Sequence, residues 1–172
     1  MQLRQFNIRY DPREDRLVLR LNTADRRELR FFLTRRFVGL LWPVFRKLLH
    51  RDQARRNPAA VAGPAAEALV DFERERVMAA GNFREPFAES PVEYPLGETP
   101  VLLTRIQVKS GPDGDRLCLH PDRGAGVEFP ARPQLLHTLT RLVRDAALGA
   151  DWKMDLPESA APPPNREGVL LH

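Results

Sequence analysis

Cysteine is almost absent from this chain. A single residue, Cys118, stands among 172, which excludes an internal disulfide framework and argues against a cysteine-based metal site. Lysine is scarce as well, with only three among the 27 basic residues, so arginine carries the positive charge. No apolar run approaches the ~20 residues that a membrane-spanning helix requires. The opening segment MQLRQFNIRY has no basic stretch followed by an apolar one, so no secretory leader is expected. Neither GxxxxGK[ST] nor GxGxxG occurs, which removes the phosphate-binding loops with a sequence signature. The four histidines, His50, His120, His137 and His172, lack ligand-like spacing, and His137 is expected on the solvated side of its helix. The acids at 67–75 alternate with Arg74 and Arg76 at helical spacing, as a salt-bridged surface does. No enzyme, cofactor or metal is expected, and a cytoplasmic protein is the default reading.

What is present is organised. Hydrophobic residues make up 42% and charged residues 29%, a balance suited to a globular core. The net charge of +4 is unevenly spread. Residues 1–56 hold 15 basic and 6 acidic side chains, residues 57–98 hold 3 and 8, and residues 99–172 hold 9 of each. A basic first third suits contact with polyanions.

Residues 2–10 alternate with Phe6, Ile8 and Tyr10 on one face, as a half-buried strand does. RLVLRLN at 16–22 alternates again, presenting Leu17, Leu19 and Leu21, and ELRFFL at 28–33 presents Leu29, Phe31 and Leu33. Thr34 stands where a helix N-cap belongs, because its hydroxyl can accept a bond from a free first-turn amide. The helix it opens, 35–50, is apolar nearly all round. Pro43 inside it costs about 3 kcal/mol and predicts a kink or a fresh start. Residues 54–63 read as an Ala/Pro/Gly linker, and Pro64 opens a second, acidic helix closed by Gly81. Pro86, Pro91, Pro95 and Pro100 mark an extended connector. Strand, GPDGD turn, strand, turn, short strand and helix then follow. Pro133 lies near the start of that helix, with a stripe of Leu135, Leu139, Leu142, Val143 and Ala146. After Trp152 the chain turns polar and Pro-rich, and a disordered tail is expected over 153–172.

The two halves match. Asp15-Arg16-Leu17-Val18-Leu19 aligns with Asp115-Arg116-Leu117-Cys118-Leu119 at an offset of 100, which also pairs Phe6 with Ile106 and Ile8 with Val108. An offset of 98 pairs Leu29 with Val127 and Phe31 with Phe129. The pattern predicts an α+β protein of two tandem βββα units, an antiparallel three-stranded meander plus a covering helix in each, with pseudo-two-fold symmetry. The units are 1–53 and 99–152, joined through 54–98 by the extra helix and the connector.

Each helix is expected to cover its own meander. A plain amphipathic helix suffices for that in the second unit, so the extra apolar surface of 35–50 is expected to dock a partner protein or a second copy through Phe37, Leu41, Trp42 and Phe45. The outer sheet faces carry Arg9, Arg16, Arg20 and Arg30 in the first unit and Arg105, Lys109 and Arg116 in the second. These are the candidate contacts for a polyanion. The topology is similar to the PUR family of tandem repeats, with three strands per unit here where that family has four. The resemblance implies single-stranded nucleic-acid binding as the alternative function. A membrane surface is a weaker candidate partner for Arg35, Arg36 and Arg46, which flank the apolar run 37–45.

Overall fold

The structure is a computed structural model that describes residues 3–58, 63–80, 87 and 93–157. The chain runs β1 (Leu3–Asp11), β2 (Arg16–Thr23), β3 (Glu28–Leu33), α1 (Arg35–Arg56), α2 (Pro64–Ala80), β4 (Val101–Gly111), β5 (Gly114–Pro121), β6 (Val127–Pro130) and α3 (Pro133–Gly149). It is an α+β protein. Its six strands form one sheet in sequential order. Each meander is antiparallel, and they meet through a short parallel pairing of Phe31 with Val101 and Phe32 with Leu102.

The alternation read from the strands sets the inward face. Leu17, Leu19, Leu21, Phe31, Leu33, Leu117, Leu119 and Phe129 are buried in one continuous core. The sheet curls around that core. Phe6 of β1 meets Phe129 of β6 edge-to-face with ring centroids 6.2 Å apart, although their strands lie at opposite ends of the strand order. The β4–β5 hairpin turns through Pro112-Asp113, and Gly114 adopts φ +108, a conformation that side-chain-bearing residues rarely take.

Local capping follows the sequence. Thr34 accepts a hydrogen bond from the Phe37 amide at 3.1 Å and starts α1. Pro133 occupies the first turn of α3. Pro43 does not begin a new helix. α1 runs through it as one element and reaches Arg56, so the helix enters the expected linker by three residues. Among the described residues no helix is long and apolar enough to cross a membrane. The expected tail lies outside the described residues from 158 onward.

Two expectations about coverage are corrected. First, α3 does not lie on its own meander alone: it packs against β1 and β2, while α1 reaches across to β4. The curl explains this, because β6 ends beside β1 and delivers the following helix there. Trp152, just past α3, donates from Nε1 to Asp15 in the β1–β2 turn at 2.9 Å. Arg55, in the last turn of α1, donates to Asp115 at the start of β5 at 3.0 Å. Second, the outer face of the first meander is not open. Described residues of the connector lie against it: the Glu28 amide donates to the Glu93 carbonyl, and the Phe87 and Tyr94 rings lie 4.5 Å from the guanidiniums of Arg20 and Arg30.

Candidate ligand cavity

α1, α2 and α3 pack on one another, and between them is a cavity of about 430 Å³, within the range of small-molecule sites. Trp42 and Leu49 of α1, Val70 and Met78 of α2, and Pro157 supply its apolar wall. Arg46, Arg74, Arg141 and Arg144 line it against Asp71, Glu75 and Asp145, an excess of one positive charge. Arg141 pairs with Asp145 at 3.5 Å, and Arg144 donates to the Leu156 carbonyl at 3.2 Å. Exposed Glu75, Arg141 and Asp145 mark the side open to solvent.

Two side chains of this cavity's wall are polar and almost fully buried. Trp42 and His137 both line it and are 5% and 3% exposed. Among the described residues, Trp42 Nε1 and His137 Nε2 find no hydrogen-bond partner. A buried polar atom without a partner costs about 1–3 kcal/mol, and both atoms belong to side chains of this cavity's wall. Burial lowers the His137 pKa to about 4, with Glu73 opposing and Arg74 assisting. The imidazole is therefore neutral at pH 7 and offers either a donor or an acceptor at Nε2. The indole nitrogen offers a donor only. Thr140 is already used, since its hydroxyl donates to the Leu136 carbonyl at 2.7 Å.

His137 corrects an expectation. The buried stripe of α3 is Leu136, His137, Leu139, Val143 and Ala147, with Leu135, Leu142 and Ala146 only partly buried. The stripe is rotated from the one read in sequence because α2 covers a second flank of α3. That second flank is invisible to a reading in which each helix faces only a sheet.

Phe37, Leu41, Trp42 and Phe45 are buried by the chain itself, none more than 5% exposed. The surplus apolar surface of α1 is met by α2 and α3, which both pack on it. The apolar surface expected to face a partner protein is therefore covered within the chain itself. Of the four, Trp42 reaches the cavity.

The basic candidates separate into locked and open ones. Arg20 is 3% exposed and bonds Glu28, itself wholly buried, through Nε–Oε1 at 2.7 Å and Nη2–Oε2 at 3.0 Å. Arg30 bonds the same carboxylate at 2.6 Å, the Glu98 carbonyl and the Tyr94 hydroxyl. Neither is offered to a polyanion, which corrects the expectation for both. Arg16 lies over the Phe32 ring at 5.3 Å and pairs with Glu14 at 3.4 Å, while Lys109 pairs with Glu128 at 2.5 Å. Arg9, Arg105 and Arg116 are exposed and make no ion pair among the described residues.

Comparison with protein-family models, curated proteins and solved structures gives no match for this chain.

Proposed function

We propose that the protein is a binding protein that holds a small organic anion with an apolar body in the interhelical cavity. The observation that carries this reading is a pair of nitrogens without a hydrogen-bond partner among the described residues, Trp42 Nε1 and His137 Nε2, on side chains that line one partly apolar cavity. The indole N–H donates to the anionic head, and the arginine excess favours negative charge. Trp42, Leu49, Val70 and Met78 take the apolar body. Calorimetric titration with decanoate, with decanol as the neutral comparator, tests it. One saturable site for decanoate is expected, weakened about 10-fold by Trp42→Phe, the loss of one hydrogen bond to a charged group. Equal binding of decanol, or no change in the variant, speaks against the reading.

The polyanion reading rests on the cations that remain open. Arg9, Arg105 and Arg116 lie on the outer sheet face, away from the connector's cover over Arg20 and Arg30. Salt-dependent binding of a single-stranded oligonucleotide that survives Arg9, Arg105 and Arg116 all changed to Ala rules this face out. For self-association or a partner protein, the part of α1 open to contact is Leu40, 55% exposed, rather than the buried four.

The tandem duplication belongs to this reading as well. Asp15 and Asp115 are 100 residues apart, each stands where its meander's second strand leaves the first hairpin, and each is held by the segment ending the other half's helix. The third strand favours an offset of 96 rather than 98, because Phe31 lies opposite Leu19 and Val127 opposite Leu119. Two copies with exchanged helices explain why the cavity sits where α1 and α3 meet.

A further inference from the structure

The outer face of the second meander carries a cluster that neither the cavity nor the polyanion reading uses. Cys118 and His120 are two apart on β5 and therefore share a face. Antiparallel pairing sets Glu128 of β6 directly opposite Cys118. The thiol sulfur, an imidazole nitrogen and a carboxylate oxygen of these three residues all lie within 4.8 Å of one another. Tetrahedral zinc with thiolate, imidazole and carboxylate ligands has donor atoms about 3.3–3.6 Å apart, so small side-chain rotations close the set. Gly126 fixes the approach of β6: a Cβ there would lie 2.1 Å from the Leu119 carbonyl oxygen and 2.7 Å from His120 Nδ1. Only glycine lets the backbone rest against the imidazole.

We propose that Cys118, His120 and Glu128 form a three-ligand site for a divalent transition metal of the zinc class, with water in the fourth position. The donor set decides the class. Thiolate and imidazole select zinc or cobalt over magnesium or calcium, which take oxygen donors. Cys118 is fully buried, while the His120 and Glu128 side chains are 22% and 33% exposed, so the site opens to water on one side. Binding converts the Cys118 thiol to a thiolate and releases its proton to solvent. Because the ligand is the thiolate, metal affinity rises with pH. Thiolate and carboxylate supply two negative charges against the dication. Lys109 competes for one of them through its 2.5 Å bond to Glu128, and the Arg105 and Arg116 charges also oppose the metal.

Titration of the full chain with Co²⁺, read by absorbance, tests the site. A single equivalent should produce a thiolate-to-cobalt charge-transfer band in the near ultraviolet and intense tetrahedral d–d bands, all abolished by added Zn²⁺. Cys118→Ser should lose the charge-transfer band completely. Glu128→Gln should weaken Co²⁺ binding by at least the ~10-fold that loss of a supporting group costs. Lys109→Met, a change at a half-exposed side chain, should tighten it. No saturable Co²⁺ signal in the wild-type chain, or a signal without charge transfer that persists in Cys118→Ser, overturns the proposal.

Discussion

Replacing Glu28 by Gln removes the carboxylate between Arg20 and Arg30 while keeping the side chain's size. Arg20 and Glu28 are 3% and 0% exposed, and their contact is bidentate. The substitution leaves the Arg20 guanidinium buried without its counter-charge, a loss of about 3–5 kcal/mol. For a chain of this length that lowers Tm by roughly 6–20 °C. The pH dependence follows from the same geometry. Burial alone would raise the Glu28 pKa, but hydrogen bonds and charge from Arg20 and Arg30 outweigh it and hold the carboxyl below its ordinary range. Its contribution is therefore present above the unfolded-state pKa of about 4.3 and is lost as pH falls through the lower folded value. Urea unfolding followed by circular dichroism should show the deficit at pH 7 shrinking in acid. Changing Arg20 and Glu28 together to Met should recover most of the stability, since no buried charge is then stranded. A deficit under about 1 kcal/mol, or a double variant worse than the single one, refutes the sealed-pair account.

Further outcomes follow from other parts of the fold. His137 is buried neutral, with its pKa lowered from 6.5 to about 4. The unfolded chain takes up the proton first as pH falls, so stability decreases from pH 6.5 toward 4 by up to about 3 kcal/mol. His137→Gln should flatten that part of a Tm-against-pH curve. Because α3 lies on β1 and β2 and α1 reaches β4, fragments 1–86 and 87–172 should each fail to fold alone. Co-expressed, they should copurify with the far-ultraviolet spectrum of the intact chain, and independent folding of either would contradict the crossed packing.

The strands and their phase were legible because alternation is a local signal: Leu17, Leu19 and Leu21 face inward as their spacing requires. The Thr34 cap and the Gly111–Gly114 turn were legible for the same reason, since each depends on neighbouring residues only. What escaped the sequence reading depends on long-range placement. Arg20 and Arg30 look like a cationic face until β3 sets Glu28 between them and the Phe87 and Tyr94 rings cover them. Trp42 looks like surplus surface until α2 and α3 close around it, and His137 looks solvated until α2 covers its flank. Cys118 and His120 carried a faint local signal, an i, i+2 pair on a strand. Glu128 joins them only through cross-strand register, ten residues on from Cys118.

The chain has two tryptophans whose indole N–H groups stand in opposite states. Trp42 Nε1 has no partner among the described residues, and Trp152 Nε1 donates to Asp15 at 2.9 Å. A ¹⁵N–¹H titration of the two indole resonances with decanoate therefore tests the cavity claim with an internal control. A saturable downfield shift of the Trp42 indole proton is expected while the Trp152 signal holds its position. A Trp42 resonance that stays fixed, or shifts of equal size at both, would contradict it.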